Sequence, residues 1–246
     1  MNKMISTDDR VVIITGAGSG IGEAIAIECS KHYSVLCLIG RSLDKLELVA
    51  ETARKFCSKV YCYGVDLTSC ADIKNFFIEI NHQWGHVDVL VHSAGIFSRG
   101  SVEYAPIDDF DRQFFTNVRG PYYLTQLLLP LIRKKKGQIV FINSSVGLTG
   151  GIANISQYVA TKQALKAITD SLRAEVNADG IRIISVYPGR TATPMQRSIC
   201  RAEGKKYQPK QYSQPEDVAK TVLNALFVSR SSEVTDIVIR PMKKAQ

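Results

Sequence analysis

The sequence has few of the residues that metal sites and disulfide frameworks require. Its 246 residues include four histidines and six cysteines, and no two cysteines form a C-x-x-C pair. Most of the cysteines lie within apolar stretches, which is typical of reduced packing residues. His82 and His86 have helical spacing, but Gly85 separates them and no acidic third ligand is nearby. We therefore expect no metal site and no disulfides.

Long apolar runs and biased tracts are also missing. No run approaches the roughly 18 apolar residues of a membrane span, and the polar start, MNKMISTDDR, has no signal-peptide core. No composition break divides the chain, and its 45% hydrophobic residues suffice for one sizeable core. These observations predict one cytoplasmic domain, residues 1–246, without membrane contact.

Basic residues outnumber acidic ones and give a net charge of +8. The densest basic run, residues 133–136, closes an apolar helical pattern just before Gly137, where cations complement the helix dipole. No aromatic residues interleave with these lysines, as binding to single-stranded nucleic acid requires. We expect a solvated helix end here and no nucleic-acid partner.

What the chain does contain is a regular alternation of two patterns. Short β-branched runs, apolar along most of their length, are typical of strands buried on both faces; they occupy residues 11–15, 35–39, 60–65, 87–94, 138–145, 181–188 and 236–240. Amphipathic stretches between them predict helices at roughly 20–32, 43–56, 70–83, 108–133, 155–178 and 215–229. The alternation predicts an α/β fold: a doubly wound parallel sheet of seven strands between two helical layers.

The longest interval without a predicted element follows the sixth strand. Residues 190–213 include the polar stretch EGKKYQPKQY. A long polar loop in a compact domain is often functional. The segment predicts a mobile substrate lid.

A glycine-rich turn, TGAGSGIG, joins the first strand to the first helix. Glycines allow a close backbone approach to a pyrophosphate, and the helix N-terminus supplies free N–H groups. Gly16, Gly20 and Gly22 have the spacing G-x-x-x-G-x-G, and the absence of a following Gly-Lys-Ser/Thr excludes a P-loop. The turn predicts a dinucleotide site.

Tyr158 and Lys162 stand four residues apart in the helical pattern QYVATKQAL. Residues at this spacing share one face of a helix. On its own, such a pair is more often two solvated side chains than a catalytic acid and its electrostatic partner.

Taken together, the motifs resemble the classical short-chain dehydrogenase/reductase family over nearly the whole chain. The glycine turn is followed by HSAG, residues 92–95, where the family has N-N-A-G, and by Asn117 in NVRG. Ser145 lies thirteen residues before Tyr158, and PGRTAT, residues 188–193, follows the sixth strand. The resemblance implies a Rossmann-type fold and an oxidoreductase that uses NAD(P).

The resemblance also implies catalytic roles. Tyr158 is the expected acid/base, although a free tyrosine, with a pKa of about 10, shuttles protons poorly at neutral pH. Lys162 would favour the phenolate and hold the nicotinamide ribose. Ser145 would donate a hydrogen bond to the substrate oxygen, and Asn117 would position a water that returns the proton.

The cofactor site that the resemblance implies favours NADP over NAD. In this fold an acidic residue at the end of the second strand selects NAD; Gly40 stands there instead, and Arg41 supplies a cation suited to a phosphate. The alternative is that Arg41 only opens the next helix. The expected cofactor-binding residues are Gly16, Ser19, Gly20, Ile21, Gly22, Arg41, Asp66, Leu67, Ala94, Gly95, Tyr158, Lys162, Pro188, Gly189, Thr191 and Thr193.

Two departures from the family pattern bear on function. His92 replaces a family asparagine, and we expect it to be a hydrogen-bonded core histidine. The C-terminal sequence DIVIRPMKKAQ differs from the Gly-rich ending near VDGG of acyl-carrier-protein reductases. The expected substrate is therefore a small or medium carbonyl compound or secondary alcohol, as for a carbonyl reductase.

Two other functions stay open, a 3-oxoacyl-thioester (acyl-carrier-protein) reductase and a non-catalytic dinucleotide sensor. The full Asn–Ser–Tyr–Lys set argues against the sensor, which needs no proton relay. The family usually pairs its long fourth and fifth helices across a two-fold axis, so a homodimer or homotetramer is expected. Neither the particular substrate nor the physiological direction follows from the sequence.

Overall fold

Seven parallel strands form the centre of the molecule. The computed structural model describes residues 9–242, so residues 1–8 and 243–246 of the predicted domain lie outside the described residues. The strand order is β3-β2-β1-β4-β5-β6-β7, which confirms the doubly wound sheet. The strands are β1 (Val11–Thr15), β2 (Val35–Gly40), β3 (Lys59–Gly64), β4 (Val89–His92), β5 (Gln138–Ile142), β6 (Arg182–Pro188) and β7 (Asp236–Ile239).

Helices cover both faces of this sheet. They are α1 (Gly20–Ser30), α2 (Leu43–Ala53), α3 (Cys70–Gln83), α4 (Ile107–Phe114), α5 (Gly120–Arg133), α6 (Val146–Thr149), α7 (Ser156–Val176), α8 (Pro194–Ala202) and α9 (Pro215–Leu226). One core cluster packs α1, α2 and α9 against alternate strand residues such as Val12 and Ile14. The other packs α3, α5 and α7 against Val11 and Ile13. Burial on both faces explains why the strands are apolar along their length.

The predicted helix over residues 108–133 is interrupted in its middle. A π-helical segment, Phe115–Arg119, separates α4 from α5. Pro121 has no N–H to donate to the carbonyl of Asn117, its α-helical partner four residues earlier, so the regular ladder breaks there. Such π-bulges occur frequently at functional sites.

The segment 190–213 contains more regular structure than its polar sequence predicts. Helix α8 lies within it, followed by a 3-10 turn, Pro209–Gln211. Thr193 caps α8 by accepting a hydrogen bond from the Gln196 N–H at 3.2 Å, and Pro194 occupies the first turn. The expectation of an interval without elements is therefore wrong. In residues 9–242, no helix is long and apolar enough to cross a membrane.

Candidate active site

A cleft of about 930 Å³ opens at the carboxyl ends of the strands. The strand order reverses between β1 and β4, the position where doubly wound sheets bind ligands. Two predicted site residues, Gly22 and Asn117, lie off the cleft wall. The others line it: Gly16, Ser19, Gly20, Ile21, Arg41, Asp66, Leu67, Ala94, Gly95, Ser145, Tyr158, Lys162, Pro188, Gly189, Thr191 and Thr193.

The backbone conformation of the glycine turn and its close packing both require glycine. Gly16 and Gly20 have φ angles of 65° and 61°, in the left-handed region. A Cβ on Gly16 would lie 2.7 Å from the backbone of Ala94, and one on Gly22 would lie 2.3 Å from the Gly16 carbonyl oxygen. Gly22 therefore serves helix packing beneath the cleft, while the other two glycines shape its wall.

Thr15, at the end of β1, fixes the loop after β4. Its hydroxyl oxygen accepts hydrogen bonds from the backbone N–H groups of Ser93 and Ala94, each at 3.1 Å. The same hydroxyl donates to the Val91 carbonyl at 3.4 Å. One buried side chain thus holds the two strands whose ends flank the switch point.

Two cations line the cleft just beyond the end of β2. Arg41 and Lys45 both face the cleft, and within residues 9–242 neither forms an ion pair with an acidic side chain. Sequence analysis identified Arg41 and missed Lys45, although the spacing of four residues at the start of a helix was a usable signal. Gly40 places no acidic group beside them. The pair is suited to a phosphate.

Tyr158 and Lys162 project from α7 into the cleft. The Lys162 Nζ lies 5.8 Å from the centroid of the Tyr158 ring and donates a hydrogen bond to the Ile142 carbonyl at 3.1 Å. Burial raises the pKa of the Tyr158 hydroxyl to about 12 and lowers the pKa of the Lys162 ammonium to about 8. Burial thus disfavours the charged form of both groups, and the bias towards the phenolate that Lys162 would supply stays a prediction.

Two adjacent serines, Ser144 and Ser145, line the cleft together with Tyr158. A side-chain interaction with Ser144 lowers the pKa of Tyr158, against the larger opposite effect of burial. Ser145 immediately precedes α6, and its N–H donates to the Pro188 carbonyl at 3.0 Å. The hydrogen bond expected from the Ser145 hydroxyl to the substrate oxygen stays a prediction.

Asn117, within the π-helical segment, holds the loop after β4 instead of facing the cleft. Its Oδ1 accepts from the Ile96 N–H at 2.8 Å, and its Nδ2 donates to the Ile96 carbonyl at 2.9 Å and to Thr161 Oγ1 at 3.1 Å. A Cβ built on Gly95 would lie 3.5 Å from this Oδ1 and 3.8 Å from the Lys162 Nζ. Asn117 and Lys162 therefore flank the same glycine.

His92 is a buried, neutral histidine at the end of β4. Its Nε2 lies 2.8 Å from Thr125 Oγ1, and its ring stacks on Phe141 with centroids 4.7 Å apart. Burial lowers its pKa to about 3. These contacts agree with a core histidine. In residues 9–242, no group of histidine, cysteine and carboxylate side chains has the arrangement of a metal site.

Beyond Tyr158 the cleft has apolar walls and a charged mouth. The Phe97 ring meets the Tyr158 ring edge-on, with centroids 5.0 Å apart. Ile152, Ile155, Met195 and Ile199 supply further apolar surface, and Arg99, Arg190 and Glu203 supply the charges. Sequence analysis predicted a substrate lid at residues 190–213, which contains Arg190, Met195, Ile199 and Glu203, but named none of these side chains.

The family model for short chain dehydrogenases matches residues 10–204, most of the chain. The chain belongs to the short-chain dehydrogenase family. It is accordingly an oxidoreductase of the class that acts on CH–OH and C=O groups.

Relatives and solved structures of this family resemble the chain over almost all of its length. It is 30% identical to an uncharacterised oxidoreductase of Staphylococcus epidermidis, covering 97% of this chain and 100% of the relative. It is 30% identical to a sepiapterin reductase of Chlorobaculum tepidum, covering 94% and 96%. Among structures, an alcohol dehydrogenase of Thermococcus sibiricus complexed with 5-hydroxy-NADP superposes with a TM-score of 0.86 at 25% identity, covering 96% of this chain and 98% of that chain. A short chain dehydrogenase from Shigella flexneri complexed with NADP gives 0.83 at 27%, covering 94% and 96%.

Proposed function

We propose that this protein is an NADP-dependent oxidoreductase that interconverts a small or medium carbonyl compound and its secondary alcohol, with Tyr158 as the acid/base. The main support for this proposal is the arrangement of side chains in one cleft. Tyr158, Lys162 and Ser145 line one part of it, while Arg41 and Lys45, which have no acidic ion-pair partner within residues 9–242, line the region beyond β2. A proton donor and a phosphate site in one cleft suit this reaction.

The residues present fit the dinucleotide. The glycine turn brings backbone so close to Ala94 that a Cβ on Gly16 would collide at 2.7 Å, and the N-terminus of α1 offers free N–H groups to a pyrophosphate. Arg41 and Lys45 would hold the 2′-phosphate. The NADP complexes of the Thermococcus and Shigella proteins support the same cofactor here. When bound, NADPH supplies the hydride.

The chain's own groups handle the proton. Because burial raises the pKa of Tyr158 to about 12, its hydroxyl stays protonated at neutral pH and donates a proton to the substrate oxygen during reduction. Ser145, in the wall of the same cleft, donates a second hydrogen bond to that oxygen as negative charge develops. Lys162 anchors the nicotinamide ribose and adds positive charge beside the phenol.

We propose that Asn117 acts as a positioning residue in this reaction. It fixes the loop that carries Gly95, the glycine that Lys162 also flanks. Its backbone carbonyl, without an α-helical donor because residue 121 is proline, is the group we propose to hold the water that returns the proton to Lys162.

The test is a carbonyl and alcohol screen that follows nicotinamide absorbance with both cofactors, including an acyl thioester. For the best substrate, Tyr158→Phe should lower kcat by about 10²-fold or more, because the acid is lost while the ring stays. NADPH affinity should change little. Tyr104→Phe, which removes a hydroxyl from an exposed residue (78% exposed), is the matched control. Near-normal turnover in Tyr158→Phe would contradict the mechanism, and binding without any turnover would favour the sensor.

We also propose that the protein forms a homodimer or homotetramer through α4, α5 and α7. Most of the apolar α5 side chains, including Leu124 and Leu128, pack on the sheet and need no partner. Three large aromatic residues stay exposed from the end of α4, through the π-helical segment, to α5: Phe114, Phe115 and Tyr122. Their exposure supports an interface there, and light scattering against the chain mass of 27.2 kDa tests it.

A further inference from the structure

Three cations surround one carboxylate at the substrate mouth of the cleft. Glu203, at the end of α8, lies 3.5 Å from Arg99, 3.2 Å from Arg190 and 3.9 Å from Lys205. The Glu203 side chain is only 16% exposed, whereas the cations are 37% to 57% exposed. One negative charge therefore faces three positive ones, and the mouth retains an excess of positive charge.

Of these cations, Arg99 is the one left available to a ligand. Arg190 donates hydrogen bonds to both Glu203 oxygens, at 3.2 and 3.3 Å. Lys205 does not line the cleft. Arg99 lines it, pairs with Glu203 only at 3.5 Å, and has no hydrogen-bonded partner for its guanidinium within residues 9–242. Its guanidinium donors that do not face Glu203 are therefore open to a planar acceptor.

The loop that carries Arg99 is fixed on both sides. The Ser98 N–H donates to Oε1 of Gln113, a fully buried side chain, at 3.0 Å, and the Gly100 N–H donates to the Asn154 carbonyl at 2.9 Å. Phe97, two residues before Arg99, packs against the Tyr158 ring. The backbone around Arg99 is therefore held in a fixed position relative to Tyr158, which a residue that selects the substrate requires.

We infer that the substrate of the proposed reaction carries a carboxylate, which Arg99 binds while Tyr158 handles the carbonyl oxygen. This inference rests on the proposed function and names its substrate class: an oxo acid or the corresponding hydroxy acid. The lining charges favour a monoanion, because Arg99, Arg190 and Glu203 sum to a single positive charge. Guanidinium groups bind carboxylates in a bidentate, planar arrangement. The apolar walls between mouth and phenol suit the intervening carbon chain.

The experiment compares straight-chain oxo acids of increasing length with their methyl esters, as kcat/KM with NADPH. Wild-type protein should favour the acid of one chain length over its ester by about tenfold or more, the range of a charge-assisted hydrogen bond. Arg99→Met should remove this preference while changing kcat/KM for the ester little. Lys205→Met is the matched control, because it removes a charge from the same cluster outside the cleft wall and should leave the preference in place.

Calorimetry on the protein–NADP complex separates this inference from the proposed function. A straight-chain carboxylate that has no ketone or aldehyde group should bind more tightly than its amide. Arg99→Met should abolish this difference in affinity. If no carbonyl is reduced but the carboxylate still binds through Arg99, the reaction is wrong and the anion site stands. Equal acid and ester kinetics in the wild type would overturn the anion site. So would an equal loss for both substrates in Arg99→Met, which would make Arg99 only a contact that holds α8.

Discussion

Two adjacent serines, Ser144 and Ser145, follow β5, and both line the cleft that contains Tyr158. A side-chain interaction with Ser144 lowers the pKa of Tyr158, while the Ser145 backbone N–H donates to the Pro188 carbonyl just before α6. At the scale of single residues, we propose the Ser145 hydroxyl as the group that stabilises developing charge on the substrate oxygen.

Substituting each serine in turn separates their contributions. Ser145→Ala should lower kcat by about 10²- to 10³-fold, the usual effect of removing one donor to a developing oxyanion. Ser144→Ala should lower kcat less, since its side chain acts on the pKa of Tyr158 and not on the substrate oxygen. Steady-state kinetics on the best substrate from the screen measures both, with NADPH affinity as the check on folding. A larger loss in Ser144→Ala would assign the role to that residue.

We expect cofactor choice to depend on residues 40, 41 and 45. Gly40→Asp should shift preference from NADPH towards NADH, because a carboxylate repels the 2′-phosphate and accepts from the 2′-hydroxyl. Arg41→Ala and Lys45→Ala should each weaken NADPH more than NADH. The ratio of kcat/KM for the two cofactors is the measurement.

Crowding at position 40 needs its own control. A Cβ on Gly40 would lie 3.3 Å from the Leu46 side chain. Gly40→Ala introduces this contact without the charge, so it should affect both cofactors equally. A wild-type ratio that favours NADH would show that Arg41 and Lys45 do not bind a phosphate.

At the scale of elements, local signals predicted some features and missed others for physical reasons. The glycine turn and the i, i+4 pair Tyr158 and Lys162 depend on residues close in sequence, so both were found. The influence of Ser144 on the Tyr158 pKa was missed, because the loop between β5 and α7 that brings the two residues together includes Gly150, Gly151 and Asn154, all with positive φ. No local pattern shows which side chains such a loop brings together.

The segment 190–213 combines a capped helix with an irregular exposed stretch. Cys200 Sγ lies 3.2 Å from the Tyr212 hydroxyl, and the Tyr207 and Tyr212 rings are 5.8 Å apart. An isolated parallel β-bridge between Thr191 and Ser213 also joins the two ends of this segment. Between α8 and the 3-10 turn, Lys205 and Lys206 are exposed and outside regular structure. Any opening of a lid should therefore begin at residues 203–208.

Limited trypsin digestion tests this location. Cleavage after Lys205 or Lys206 should precede cleavage after Lys59, which lies in β3, because local opening requires fewer lost contacts. Bound NADP with substrate should slow the cut if the segment closes over the cleft. The double variant Lys205→Gln, Lys206→Gln should remove the early fragment. Equal cleavage rates at Lys59 and Lys205 would contradict a mobile segment.

At the scale of the whole molecule, the sheet was predictable because strands buried on both faces leave a strong apolar pattern. The charged mouth of the cleft was less predictable from the sequence, because its side chains come from segments that are distant along the chain. Arg99 and Glu203 are more than a hundred residues apart in sequence yet 3.5 Å apart in space. No local pattern encodes such a meeting, which depends on where the finished sheet places its loops.

The core also contains a polar group that makes its stability sensitive to acid. His92 is 2% exposed and its Nδ1 has no hydrogen-bond partner within the described residues. Its only described polar contact is Nε2 with Thr125. Charging this ring inside the fold would bury a cation against Phe141, so the native state keeps it neutral.

Folding stability should therefore fall as pH drops from 6.5 towards 3, the window between the ordinary and the lowered pKa of His92. There the unfolded chain binds a proton that the native state does not, so His92 removes about 1.4 kcal/mol per pH unit. Urea unfolding of His92→Asn should show a shallower slope than wild type above pH of about 5, before most carboxylates titrate. His82→Asn, at an exposed position, should keep the wild-type slope. Parallel slopes in all three proteins would mean that His92 becomes protonated inside the fold.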